Sequence, residues 1–442
     1  MSSPPKKPLD IIIVGGSLAA LMHGISLHRL GHKIHILEQS PIAAPTSHMA
    51  GIFLSPHATA FVERIDRVRE IPLGLPALPG RLTGFPFPAF PTRRIITSWG
   101  ALYFRLRANF DGVGSVYIPC PPDVVCLDGE DVESARGRAV YEHQQRVVDI
   151  KDGFEGDRSK VSVVVEDLAR GQTRILPADL VLGADGRQST VREIVLGNRA
   201  YRHYSGYVAW RGVVPESELS EGTREAFQAN TSHVTRGKEY GNAVAYPIPG
   251  PTGSLSSGER SINFVWYFRI PPPLLASIMT DKNGKYHRTT VPQGLVDPKI
   301  WSQQATLGTS FFPPAHAEVV SKITNPFIHA IVDSYPAPTK ASFLNNRVLL
   351  VGDALAHLRP HGGYSTSLAA LEAGWVGELV SGEIGIAEWE KKVTRLVYLW
   401  WCRGIWYGHS LLRAGSVWGF VLSALWYWGV VVVEVGRAYV GW

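Results

Sequence analysis

The stretch Leu9-Asp10-Ile11-Ile12-Ile13-Val14-Gly15-Gly16-Ser17-Leu18-Ala19-Ala20 decides how this chain is read. Leu9 to Val14 is a short apolar run rich in isoleucine, the pattern of a buried parallel strand. It ends at Gly15-Gly16, and from Leu18 to Leu30 apolar residues recur at helical spacing. A strand that turns tightly into a helix leaves backbone N–H groups free at the helix start, where a pyrophosphate can bind. Gly15 fills the first place of the glycine fingerprint for such turns, while Ser17 and Ala20 stand at the second and third. The methyl of Ala20 still lets helix and strand pack closely. Ser17 is small, and its hydroxyl is within reach of a phosphate in such a turn. A second strand, Lys33 to Leu37, ends at Glu38, where the fingerprint places an acidic residue on a ribose. The plain alternative is a glycine-rich turn in some other α/β protein, with Glu38 a surface charge.

Two later segments repeat the theme. Ala178 to Leu182 is apolar and strand-like, and runs into Gly183-Ala184-Asp185-Gly186-Arg187 and a helix start with a second arginine, Arg192. Arg347 to Val351 is a further strand, delivering Gly352-Asp353. After it comes Arg359-Pro360-His361-Gly362-Gly363-Tyr364-Ser365-Thr366-Ser367 and an Ala- and Leu-rich helix. Pro360 stops one element, and Gly363 permits close backbone approach to a flat ring. The helix start beyond it offers N–H groups and a positive dipole end to an anion.

On these residues the chain resembles the class A FAD-dependent aromatic monooxygenases of the para-hydroxybenzoate hydroxylase type. It is similar more narrowly to the 2,6-dihydroxypyridine 3-hydroxylase-like branch, from about Leu9 to about Leu412. Branch-specific segments are Tyr207-Val208-Ala209-Trp210-Arg211-Gly212, Tyr246-Pro247-Ile248-Pro249-Gly250, Asn263-Phe264-Val265-Trp266-Tyr267 and Arg359-Pro360-His361. The resemblance implies an α/β fold, α+β overall: a Rossmann-like FAD-binding domain, an inserted antiparallel-sheet substrate domain and a helical C-terminal region. The boundaries expected are 1–75, 97–200 and 337–385 for the first domain, 76–96 and 201–336 for the second, and 386–442 for the last.

The same resemblance implies the cofactor contacts. In the first turn they are Gly15, Gly16, Ser17, Leu18, Ala19 and Ala20. Glu38, beside Gln39, would hold the adenosine ribose, and Asp185-Gly186 would serve FAD and the incoming NADH or NADPH. Gly352 and Asp353 would hold ribityl or ribose hydroxyls, with Gly51 nearby. Pro360, Gly363, Tyr364, Ser365 and Thr366 would form the helix start facing flavin N1 and O2. Ser365 stands where the family often has a second glycine, and Trp99 where many relatives carry an arginine. Arg105 or Arg107 would then take over a phosphate contact, or the pair is a solvated face of an amphipathic helix.

The implied reaction is NAD(P)H-driven hydroxylation or epoxidation of a small aromatic or unsaturated substrate by O2, through a C4a-hydroperoxyflavin. The cofactor carries the hard steps, so the protein must bind it, exclude water and hold the substrate ring. A base that deprotonates a ring hydroxyl would help, and the candidates are His361, then His203 or Tyr207. The alternative for His361 is a loop-shaping hydrogen bond. Tyr207, Trp210, Trp266 and Phe268 either line an aromatic pocket or fill the core of the second domain. Two other classes stay open: a flavin-binding protein without hydroxylase activity, and a flavin dehydrogenase or oxidase.

Composition fits these expectations. A chain of 442 residues is long enough for more than one core. A net charge of +6 with 19% charged residues scattered along the chain suggests no nucleic-acid surface. Cys120, Cys126 and Cys402 show no metal-ligand spacing and no pairing pattern, so buried thiols in a reducing, cytoplasmic setting are expected. Lys151 to Lys160 reads as a polar hairpin loop, and Ile71 to Pro91 as an excursion between domains. The region from Ser416 to Trp442 is atypical, because Ser416 to Val433 carries no charge and is rich in Val, Gly and Trp. Three readings are open for it: translation past a splice site, a membrane anchor through 416–433, or a buried helix over the domain interface.

Overall fold

The computed structural model describes residues 7–41, 50–68, 70–77, 82–83, 94–122, 139–197, 202–228, 232–235, 241–412 and 417–440. Asp10–Val14 forms a strand that pairs in parallel with Lys33–Leu37 on one side and Leu180–Gly183 on the other. The full sheet runs Ser342–Phe343, Val348–Leu350, Leu180–Gly183, Asp10–Val14, Lys33–Leu37, Ala139–Glu142, parallel throughout except at the Ser342–Phe343 edge. Because both faces of the central strand are covered, its isoleucines are continuous rather than alternating, and Ile11, Ile12 and Ile13 are buried. The helices Leu18–Arg29 and Tyr364–Ser381 pack against each other, although hundreds of residues separate them in sequence.

A seven-stranded sheet forms the second body. Its order is Thr290–Val291, Phe327–Ser334, Arg202–Pro215, Ser261–Arg269, Asn242–Ile248, Ser232–Thr235, Leu82–Thr83, antiparallel except at the last pair. Trp210 lies opposite Trp266 and Ile328, and Arg211 opposite Val265 and Phe327. Side chains alternate between the faces of a strand. Val208, Trp210, Val214, Phe264 and Trp266 therefore share one face, packed with Phe312, Val319 and Val320. Tyr207, Ala209, Val265 and Tyr267 share the other. Pairing with Phe327–Ser334 is interrupted by a bulge between Tyr204 and Val208, where Gly206 takes φ +85°.

Several expectations change here. Ser232–Thr235 and Asn242–Ile248 are separate strands paired antiparallel, with 236–240 outside the described residues. Lys151 to Lys160 is a hairpin, as expected, but its loop is only a tight turn: strands Gln145–Phe154 and Asp157–Asp167 pair antiparallel across Glu155 and Gly156, both with positive φ. Most of Ile71 to Pro91 lies outside the described residues, as does Cys126. Cys402 is buried as expected, whereas Cys120 is exposed.

The helix Ile386–Leu412 lies against Tyr364–Ser381, and Val417–Val440 packs on its far side. Trp406 stacks on Tyr427 with ring centroids 5.2 Å apart, and Arg395 pairs with Glu434 at 3.0 Å. The outer face of the last helix carries Trp418, Leu422, Leu425, Trp428 and Val432, all exposed. It is therefore not the buried helix that one reading expected. Among the described residues Trp418–Gly436 is the one segment long and apolar enough to cross a membrane.

Candidate functional site

Three chain segments far apart in sequence meet at a cavity of about 420 Å³. Its floor is Ser17, Leu18 and Ala19 after the first strand, Ala184, Gly186 and Arg187 after Leu180–Gly183, and Gly352 with Asp353 after Val348–Leu350. Pro360 to Thr366 close one side. The roof is the inner face of the antiparallel sheet, with Ala209, Arg211, Val244, Tyr246, Tyr267 and His329. Gly51, Phe53, Arg94 and Trp99 complete the wall.

Close approach explains the glycines. Gly15 has φ +94°, and a Cβ there would sit 2.7 Å from the Ala184 carbonyl oxygen. Gly51 donates its N–H to Asn263 Oδ1 at 2.9 Å, and a Cβ would strike the Tyr246 ring. Gly363 sits in the left-handed region, φ +64°, and opens the Tyr364–Ser381 helix.

The two helix starts at this cavity differ from the serine-capped ones in the protein. Ser55, Ser98, Ser189 and Ser220 each cap their helix by accepting a backbone N–H. Ser17 and Gly363 make no side-chain cap, so the N–H groups behind them stay open to a ligand. Two uncapped helix ends, tight glycine turns and an aromatic wall suit a dinucleotide with a flat, electron-accepting ring such as FAD.

Some expected residues do not face the cavity. Arg105 is buried and turned away, its guanidinium held by Asp66 at 2.6 Å and by the carbonyls of Val68 and Ile71, so it is spent on the loop after Pro56–Ile65. Arg107 is likewise committed, to Asp111 at 2.7 Å. The Asp185 carboxylate accepts from the Ser189 hydroxyl and the Val191 N–H, tying down the helix Thr190–Leu196, while burial pushes its pKa up. Its neighbours Gly186 and Arg187 line the cavity instead, with Arg187 paired to Asp353 at 3.2 Å. Glu38 stands next to the first turn as its spacing expects, but its carboxylate accepts the N–H groups of Gly16 at 2.6 Å and Ser40 at 2.7 Å. Tyr141 donates to the Gly16 carbonyl at 2.9 Å and covers that residue. Gln39 is exposed, and Ala20 is buried behind the turn.

The catalytic candidates separate by position. His361 lines the cavity and is half-buried; its Nε2 shares a 2.8 Å hydrogen bond with the Tyr207 hydroxyl, and its buried Nδ1 has no partner among the described residues. Burial, reinforced by the nearby Arg359 guanidinium, pulls its pKa down to about 3, so the imidazole is neutral. Tyr207 lies behind it with its pKa raised by burial. His203 is a correction: it is largely exposed, 3.6 Å from Asp333, which itself holds Arg359 at 2.7 Å. Of the two readings open for Trp210, Trp266 and Phe268, the structure takes the core one, because strand alternation sends them to the face away from the cavity. Sequence reasoning missed Arg211, Tyr267 and His329 as site residues. The signal was available in part, since accepting Tyr207 as inward-facing makes Ala209 and Arg211 inward-facing too.

A family model described as FAD binding domain-like matches residues 204–333. Over 84% of its length the chain is 27% identical to 2,6-dihydroxypyridine 3-monooxygenase of Paenarthrobacter nicotinovorans, covering 82% of that protein. It is 24% identical to a salicylate hydroxylase of Sarocladium schorii over 83% of this chain and 70% of the relative. The solved structure of 2,6-dihydroxypyridine-3-hydroxylase from Arthrobacter nicotinovorans superposes with a TM-score of 0.67 at 25% identity, covering 93% of this chain and 91% of that one. With three glycine turns gathered on one cavity beneath an antiparallel roof, these likenesses agree in kind: the chain is homologous to 2,6-dihydroxypyridine 3-monooxygenase and shares the fold of the FAD-dependent aromatic monooxygenases.

Proposed function

We propose that this enzyme uses NADH or NADPH and O2 to hydroxylate a small hydroxylated aromatic ring. The observation that carries the reading is the arrangement of the cavity: glycine turns and uncapped helix starts on one side, Tyr246, Tyr267 and His361 on the other. FAD bound there supplies hydride uptake from the nicotinamide and transfer of one oxygen atom of O2 to the ring. Ser17 to Ala19, Gly186, Gly352, Asp353 and Gly363 to Thr366 would hold it. The division into a discontinuous FAD-binding domain and an inserted substrate domain is part of the same proposal.

The residues of this chain then have definite tasks. The roof excludes water from the reacting face. His361, neutral and with a buried, unpaired Nδ1 at the cavity wall, is the group that would accept a hydrogen bond from a ring hydroxyl and so raise the electron density of the ring. Tyr207 fixes the imidazole from behind. The names of the relatives, a dihydroxypyridine monooxygenase and a salicylate hydroxylase, agree with a hydroxylated ring as substrate.

Purified protein tests this directly. Yellow protein whose NAD(P)H oxidation is stimulated by a hydroxylated pyridine or benzene, with label from isotopic O2 in the product, is the expected result. Turnover without label in the product would make it a dehydrogenase or oxidase. Bound flavin with no turnover across a broad panel would make it a flavin-binding protein only.

A further inference from the structure

The last helix, Val417–Val440, has its polarity turned inside out. Helices on a protein surface bury their apolar stripe and show water the polar one. Here Trp418, Leu422, Leu425, Gly429, Val432 and Gly436 follow one another at helical spacing along the outer stripe, and all six are exposed. The hydroxyls of Ser423 and Tyr427 and the carboxylate of Glu434 recur at the same spacing on the opposite stripe. Ser423 and Tyr427 are buried, and Glu434 reaches back to Arg395 at 3.0 Å. Trp426, at the edge between the stripes, donates its indole N–H to the Tyr398 hydroxyl at 3.1 Å. The helix is thus held on Ile386–Leu412 through Tyr427, Glu434 and Trp426, and what it shows outward is hydrocarbon.

A contiguous apolar surface of this kind marks a contact. Only 11% of Trp418–Gly436 is buried, so it is not the core helix of a folded domain. A protein partner would look for a polar rim and about one hydrogen bond per 100–200 Å² of interface. The outer stripe carries no carboxylate, amide, hydroxyl or charge to offer it, and lipid asks for none. Val430 to Val433 are four consecutive β-branched residues, poor helix formers in water. Beside lipid such a run is held helical, because open backbone groups are not tolerated there. Arg413 and Arg437 bracket the apolar span in the sequence, matching anionic headgroups. Tyr335 and Tyr398, both exposed beside Trp401, add aromatic rings of the kind found at headgroup depth.

We propose that Val417–Val440 is a lipid-docking helix lying in the plane of a bilayer surface, its outer stripe among the acyl chains and its inner stripe still packed on Ile386–Leu412. Trp418–Gly436 has 19 residues, about 28 Å at a rise of roughly 1.5 Å per residue, which is long enough to span. Spanning would pull Tyr427 off Trp406 and strip Glu434 of Arg395 at the edge of the hydrocarbon. Lying flat keeps both contacts. The docking does not depend on the flavin chemistry.

Two measurements on the full chain test the occupant and the mode. Purified protein is expected to bind vesicles of mixed phosphatidylcholine and phosphatidylserine. Leu425→Glu combined with Val432→Glu should lower that partitioning about tenfold or more. Both side chains are exposed, so flavin content and melting temperature should stay as in the wild type. In sealed microsomes from cells expressing the chain with a peptide tag after Trp442, added protease should remove the tag, because a helix lying flat leaves both ends on the outer side. A tag protected until detergent opens the microsomes would show a spanning helix and overturn the in-plane arrangement. No vesicle binding by the wild type, or undiminished binding by the double variant, would remove lipid as the occupant. A discrete dimer in lipid-free buffer that the double substitution dissociates, without vesicle binding, would give the face to a second copy of the chain.

Discussion

At single positions, backbone geometry and burial set the sharpest expectations. Gly15→Val forces a β-branched side chain into φ +94° and onto the Ala184 carbonyl, so it should cost about 1–3 kcal/mol of stability and abolish flavin retention, read by thermal melts and absorbance. His361 stays neutral at any pH above about 3, so kcat/KM should lack an acid limb near the ordinary histidine value of 6.5. His361→Gln should lower kcat more than it raises KM; an acid limb that this variant removes would show that the imidazole titrates instead. Glu372 is wholly buried, accepting the Gly352 N–H at 2.6 Å, and burial lifts its pKa from 4.5 to about 8. The folded state therefore binds the extra proton between those values, and the stability contributed at low pH is lost as pH rises through 8. Glu372→Gln keeps an acceptor for Gly352, so its melting temperature should fall less between neutral and alkaline pH than that of the wild type.

Among the elements, the antiparallel roof divides chemistry from packing by alternation alone. Trp210 is fully buried on the far face, so Trp210→Ala should cost about 3–5 kcal/mol in denaturant unfolding yet leave the affinity of surviving folded protein for ring ligands nearly unchanged. This face could not be read from the sequence, because both faces of Asn242–Ile248 and Ser261–Arg269 are buried and no polar alternation marks the inside. By contrast Asp10–Val14 and its turn were legible: a strand covered on both sides is apolar throughout, and the glycine after it is required by the Ala184 contact. Glu38 was legible in position but not in contact, since spacing fixes where a carboxylate stands and not which N–H groups it meets. Arg105 was misread for the same reason: its helix was expected, but the loop carbonyls that claim its guanidinium are distant in sequence.

For the whole molecule, the last helix is the feature least explained by the cavity. None of its residues lines the site, and its outer face exposes Trp418, Leu425 and Val432 over a span long enough for a bilayer. Truncation after Leu412 should leave flavin content unchanged, and flotation with phospholipid vesicles should carry the full chain but not the shortened one. Co-flotation of both, or of neither, would assign the exposed face to something other than lipid.

The roof strand Arg202–Pro215 also constrains how this protein can change. Its two sides behave like a reading frame counted in twos. One residue added or lost upstream of Tyr207 would turn Trp210 toward the ligand and drive Arg211 among Phe312 and Val320. Only even insertions keep the register, and the bulge already present obeys that rule. Tyr204 pairs with Val332 and Val208 with Ala330, four steps against two, an excess that leaves inside and outside as they were. Diversification of substrate choice in this scaffold should therefore proceed by side-chain exchange at Ala209, Arg211 and Tyr267 rather than by changes in strand length.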